Sequence, residues 1–218
     1  ARLLAASAGE PGLGALLRAW KQGIAILKAD RPFRTFEIGF MLYGFAFLMS
    51  WPLLILFAEE RLGLSYDEWT WAQGFSFPLA QIGGMVLFGR LLDRIGVERT
   101  TMVSFALLFG FLVLVPRVGG PLELALCYLL FGAAMAGVNL SWSLGPLHFA
   151  TEGRAHAYTA AHLSCVGVRS LLAPFLGMTI KHFFTYEVAF GVAACLMALG
   201  VWTMHRLSRQ RLSSTLSP

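Results

Sequence analysis

The sequence predicts an all-α integral membrane protein of six transmembrane helices, preceded by an amphipathic cytoplasmic helix. Three observations support this: the composition, the length of the apolar runs and the placement of the positive charges. Of 218 residues, 57% are hydrophobic and 13% are charged, with a mean hydropathy of +0.66. A soluble domain carries about 25% charged residues, so the missing charge indicates lipid as the surrounding solvent.

The first 34 residues are predicted to form a cytoplasmic linker. Apolar residues recur in it at helical spacing, with cations on the other side: Leu13, Leu16, Leu17, Trp20, Ile24 and Leu27 against Arg18, Lys21 and Lys28. This pattern is typical of a basic helix lying on a membrane surface, and an ordinary docked helix fits it equally well. Because the chain opens on Ala1 rather than Met, we expect a piece of a longer polypeptide.

The transmembrane bundle is predicted over residues 35–206, followed by a cytoplasmic tail over residues 207–218. Each of its six apolar runs approaches the roughly twenty residues needed to cross the hydrocarbon core. The runs cover about 35–57, 67–88, 100–116, 121–144, 156–180 and 184–205. Strands are excluded, because a membrane barrel needs short segments of alternating polarity.

Lys and Arg residues predict the orientation of the bundle. Most of the 17 lie on one side, in the N-terminal segment, the loop at 89–99, the loop with Arg154 and the tail. The opposite side holds Arg61, Arg117 and Lys181. The positive-inside rule therefore predicts that both termini lie in the cytoplasm. The membrane is expected to be the cell (inner or plasma) membrane. Cations placed between apolar runs fit a membrane surface and not nucleic acid.

A dense charged cluster joins the second and third runs and reads Gly89-x-Leu91-x-Asp93-Arg94-x-Gly96-x-x-Arg99. It resembles the G-x-L-x-D-R-x-G-R-R/K loop motif of the major facilitator superfamily, which joins the second and third helices of each six-helix half. The resemblance implies the C-terminal half of a twelve-helix secondary transporter, whose N-terminal half is then a partner. The sequence departs from the motif at Val97-Glu98, where the family usually has basic residues.

The same cluster is expected to act as a conformational latch. Gly89 and Gly96 permit a tight turn, and Asp93 can meet a helix N-terminus or an arginine of a neighbouring span. Arg94 and Arg99 can pair with carboxylates or lipid phosphates. A solvated turn that only sets the topology is the alternative.

Arg169 lies near the middle of the fifth run, where an ionisable group is costly and faces a cavity or a partner. The acids of this chain, Glu37 among them, are expected near the span ends. The partner of Arg169 is therefore predicted to be a substrate anion, backbone carbonyls, water or an acid in the other half.

Further substrate-binding candidates are polar or aromatic residues at membrane depth. His162 shares a helical face with Arg169 and can hold a proton or a structural hydrogen bond. The others are Asn139, Trp142, Gln73, Gln81 and Tyr43. All of these lie on the first, second, fourth and fifth spans, which the resemblance implies line the cavity.

The predicted function is secondary active transport of a small solute by alternating access. The buried cation Arg169 favours an anion as that solute. A proton or another coupling ion is left open as a further partner. A non-transporting membrane scaffold that keeps this fold is the alternative. No cofactor or metal is expected, and no H-E-x-x-H, G-x-S-x-G or P-loop motif indicates an enzyme.

Overall fold

A computed structural model describes the backbone of residues 13–216 and the side chains of residues 20–210. The start of the predicted linker (1–12) and the end of the predicted tail (217–218) lie outside these ranges. The described chain confirms the predicted all-α fold. Its helices are α1 (Leu13–Ala29), α2 (Arg31–Leu56), α3 (Tyr66–Leu114), α4 (Pro121–Phe149), α5 (Ala155–Phe183) and α6 (Tyr186–Leu216). A π-helical turn (Phe57–Arg61) extends α2, and a 3-10 turn (Val115–Arg117) extends α3.

Helix starts follow from local capping chemistry. The Asp30 carboxylate accepts a hydrogen bond from the Phe33 amide at 3.0 Å, and Pro32 occupies the first turn of α2. At the start of α3, Ser65 and Glu68 form a reciprocal capping box, with Glu68 Oε2 2.9 Å from the Ser65 amide. Such bonds satisfy amides that have no partner within the helix.

Within the described residues, five helices are long and apolar enough to cross a membrane. Four of these helices are α2, α4, α5 and α6, which account for one crossing each. The fifth is α3 with its 3-10 turn, 52 residues in all, or about 78 Å if it were straight. That length exceeds the roughly 30 Å hydrocarbon core more than twofold.

Gly96 breaks α3 into two limbs. Its φ of 81° and ψ of 172° are non-helical, and the positive φ favours glycine. Phe88 and Ser104 both approach Gly137 of α4, although a straight helix would hold them about 24 Å apart. The chain therefore reverses at Gly96, and the two limbs correspond to the predicted second and third spans. The predicted polar turn is helical on both sides of this single residue.

The core packs α2 against α5 and α6, and α3 against α4 and α6. Aromatic side chains fill it, including the fully buried Phe36, Phe40, Phe105 and Phe131. Small residues let α3 and α4 approach closely, and Gly84 of α3 opposes Ala136 of α4. Helix α2, held by α5 and α6, supplies residues to two different surfaces described below.

Helix α1 packs against α5. Gly23 faces Ala161, and Ile26 is buried. Trp20 and Ile24 remain exposed. The helix is thus docked along one face and still presents apolar side chains outward.

Candidate functional site: a cavity beside a buried charge cluster

A cavity of about 300 Å³ lies between α2, α4 and α5. Four predicted substrate-binding residues line it: Tyr43 from α2, Asn139 and Trp142 from α4, and Arg169 from α5. Its wall is otherwise largely apolar, with the aromatic ring of Phe47 and aliphatic side chains such as Leu48 and Val138. A few convergent polar groups in an apolar wall are typical of a small-molecule site.

Arg169 supplies the full positive charge of this wall and is only 5% exposed. Its Nη1 donates a hydrogen bond to the backbone carbonyl of Phe40, and its Cζ lies 5.5 Å from the centroid of the Tyr43 ring. Its Nε has no hydrogen-bond partner within the described residues. A carbonyl and an aromatic face stabilise the cation only in part, so donor capacity remains beside the cavity.

Gly44 makes room for this arginine. A Cβ at Gly44 would overlap the Cδ, Nε and Cζ atoms of Arg169. The glycine next to Tyr43 therefore lets the guanidinium lie flat against α2, within reach of both the carbonyl and the ring.

Glu37 is a functional candidate that the sequence analysis missed. The sequence placed it near a span end, but in the structure it is 3% exposed, and its Oε1 lies 2.8 Å from Nδ1 of His162. Glu37 lies in the first third of α2, three residues before Phe40, whose carbonyl accepts the bond from Arg169. An acid of this chain therefore points into the bundle beside the arginine.

Helix geometry contains the signal that would have found this pair. α2 begins at Arg31 and α5 at Ala155, so Glu37 and His162 lie about 9 Å and 10 Å along their helices. Measured from the same end of the bundle, the two groups share a depth. The hydropathy profile did not reveal this common depth, because it locates the start of the apolar span and not the start of the helix.

His162 connects the pair to the cavity wall through aromatic contacts. Its ring centroid lies 5.5 Å from that of Trp142 and 5.4 Å from that of Phe40, both nearly edge-on. Glu37 Oε2 and His162 Nε2 are buried without a hydrogen-bond partner in the described part of the chain. Buried polar atoms are normally paired, so a group or water that reaches these two atoms would complete their hydrogen bonding.

Gln73 and Gln81 are not brought to this cavity. Both lie half-buried on the first limb of α3 and are absent from the wall that contains Arg169. Helix α3 packs mainly against α4. Sharing a depth with the cavity was therefore insufficient to place them in it.

The loop-motif residues lie around the Gly96 reversal. Asp93 and Arg94 are exposed and, within the described residues, form no ion pair, while Gly89 and Arg99 are half-buried. The carboxylate near this turn that contacts a histidine is that of Glu98, which departs from the motif.

Glu98 is 8% exposed, and its Oε1 lies 3.2 Å from Nε2 of His148 in the last turn of α4. An acid at a helix start and a histidine at a helix end both complement the helix dipoles. The position that breaks the basic motif therefore joins two helix ends.

Comparison with known proteins accords with this architecture. No curated protein matches the chain. The family model described as Major Facilitator Superfamily matches residues 36–217, which include every crossing and every cavity residue. The chain belongs to the major facilitator superfamily of membrane transporters.

Proposed function

We propose that this chain forms half of a secondary transporter that moves a small anionic solute by alternating access, with Arg169 contacting the anion. The observation that supports this is a buried arginine in a cavity wall whose Nε lacks a partner within the described residues. Asn139 adds an amide donor and Trp142 an apolar face. Alternating access around a site near the membrane midplane suits such a half-site.

Uptake into proteoliposomes tests this proposal. We expect the full-length protein to transport at least one of lactate, succinate and phosphate, and neither glucose nor choline. Arg169→Lys should lower that uptake about tenfold, because lysine lacks the planar fork that grips an oxyanion through two bonds. Arg209→Gln, at an exposed position of α6, is the matched control. The proposal would be contradicted if the protein transported only glucose or choline. It would also be contradicted if Arg169→Lys took up the anion at the wild-type rate.

We further propose that Glu37 and His162 hold the coupling proton. With Glu37 ionised and His162 neutral, the pair bears one negative charge, one helical turn from Phe40, whose carbonyl accepts a bond from Arg169. Adding a proton removes that charge, so an anion then meets less competition for the arginine. Proton and anion binding therefore favour each other, as symport requires. Tyr43 and Cys165 also interact with this cluster, and Arg34 lines a groove together with Glu37.

We also propose that both termini face the cytoplasm. The support is the concentration of Lys and Arg around the Gly96 reversal and at both chain ends. A cysteine introduced at Arg94 should react with an impermeant maleimide only when the reagent reaches the cytoplasm, and one at Gly63 only from outside. Arg94 is exposed, and Gly63 lies in the loop before α3. The reverse labelling pattern would overturn the orientation.

A further inference from the structure

A second surface of α2 lies away from the substrate cavity. A groove of about 310 Å³ is lined by Leu27 of α1, Cys165 of α5 and a row of α2 residues that includes Arg34, Ile38 and Met41. Its wall is almost entirely apolar. The lining of the groove shares no residue with the wall of the substrate cavity.

The position of the groove matches one lipid leaflet. It extends along α2 from Arg34 to Phe45, a rise of about 16 Å, which is about half of the roughly 30 Å hydrocarbon core. Its charged end is at the basic side of the bundle. Ile38 is 49% exposed within this groove, so its apolar surface is open to a chain lying along α2.

Cations converge at the charged end. Arg34 Nη1 donates to the Leu27 carbonyl at 3.3 Å and to the Lys28 carbonyl at 3.4 Å, which draws the end of α1 to the groove. The ammonium of Lys28 is exposed, as is Arg31. Within the described residues Arg34 donates only through Nη1, and a guanidinium has five N–H groups, so Nε and Nη2 can donate to an oxyanion.

Helix α1 continues the same surface. Trp20, Ile24 and Leu27 lie along one helical strip, with Lys21 and Lys28 beside it. The strip is apolar and the flank is basic, which is the arrangement of a helix at the headgroup boundary. One acid, Glu37, also lines the groove, but it is 3% exposed and its Oε1 bonds to His162.

We propose that this groove binds a phospholipid with an anionic headgroup from the leaflet at the basic end of the bundle. One acyl chain lies along α2 from Ile38 to Phe45, and the phosphate lies against Lys28 and Arg34. The apolar length of the groove selects an acyl chain, and the cations at its end select the headgroup charge. This site is separate from the substrate cavity and does not depend on the proposed transport function.

Native mass spectrometry of the full-length protein tests the site after release from nanodiscs of equimolar phosphatidylglycerol and phosphatidylcholine. The wild type should retain phosphatidylglycerol in preference to phosphatidylcholine. Lys28→Gln should lower that preference about fivefold, the value expected for one cation near a membrane surface. Met41→Trp should lower retention of both lipids, because it fills the groove. Arg209→Gln, an exposed cation at the same end of the bundle, should change neither.

Lys28→Gln is the preferred charge variant because the Lys28 side chain is exposed, whereas Arg34→Gln also removes the bonds that tie α1 to α2. The proposal is overturned if the wild type retains no lipid, as expected when the other half of the transporter covers the groove. Equal retention of the two lipids, an effect of Arg209→Gln as large as that of Lys28→Gln, or unchanged retention by Met41→Trp would overturn it as well.

Discussion

At the scale of single residues, Glu37, His162 and Arg169 bring an acid, a base and a permanent cation close together inside the described part of the bundle. Glu37 bonds to His162, and Arg169 bonds to the carbonyl of Phe40 beside the Tyr43 ring. Ionisable groups are rare at such depth because burial without compensation costs several kcal/mol. Each group here is compensated in part, so protonation of one changes the charge that the others experience.

Glu37→Gln isolates the proton step. The amide keeps the size of the carboxylate but cannot take up a proton. We expect anion binding to become insensitive to pH, whereas wild-type affinity should rise as pH falls. A pH gradient should no longer drive accumulation in proteoliposomes, although anion exchange at equal pH should persist. The proton assignment is wrong if gradient-driven accumulation by Glu37→Gln equals that of the wild type.

At the scale of elements, the reversal of α3 at Gly96 brings three helix ends together near the loop motif. Glu98 at the start of the second limb pairs with His148 at the end of α4, so this contact joins α3 to α4 within the chain. Asp93 and Arg94 remain exposed on the same turn. They are thus positioned to contact an element outside the described residues in one conformation and to release it in another.

Asp93→Asn tests the latch at this turn. Loss of one carboxylate should weaken closure on the cytoplasmic side and lower transport turnover more than solute affinity. Glu98→Gln is the informative comparison, because it removes an acid from the same turn that already has a partner within the chain, and we expect it to lower thermal stability instead. If Asp93→Asn keeps the wild-type turnover and the wild-type populations of inward-open and outward-open states, the turn only sets the topology.

At the scale of the whole molecule, composition and run length were enough to predict an all-α membrane bundle, because lipid imposes long apolar helices on any chain that crosses it. The loop motif identified the family for a related reason: Gly96 lies where the chain must reverse, with a positive φ, whereas Gly89 lies within the helical first limb. Helical periodicity also grouped Arg169 with His162 correctly, since both lie on the face of α5 that meets α2.

Other features depended on how neighbouring helices rotate and slide, which the pattern of a single run does not contain. Glu37 was placed near a span end, yet the rotation of α2 points it at α5. Gln73 and Gln81 have suitable depth, yet α3 does not supply the cavity wall. The sequence marked Glu98 only as a departure from the motif, because its partner His148 lies on α4, far away in the chain. In each case the missing information is a contact between elements distant in the chain.

The central claim is that the charge of Arg169 is compensated by a bound anion, and anion-dependent thermal unfolding of the purified protein tests it most directly. The probe is the best-transported of lactate, succinate and phosphate. At about 100 times its Kd, the anion should stabilise the wild type by about 2.7 kcal/mol, and Arg169→Ala should unfold without any such shift. A variant that is still stabilised by the same anion would contradict the claim.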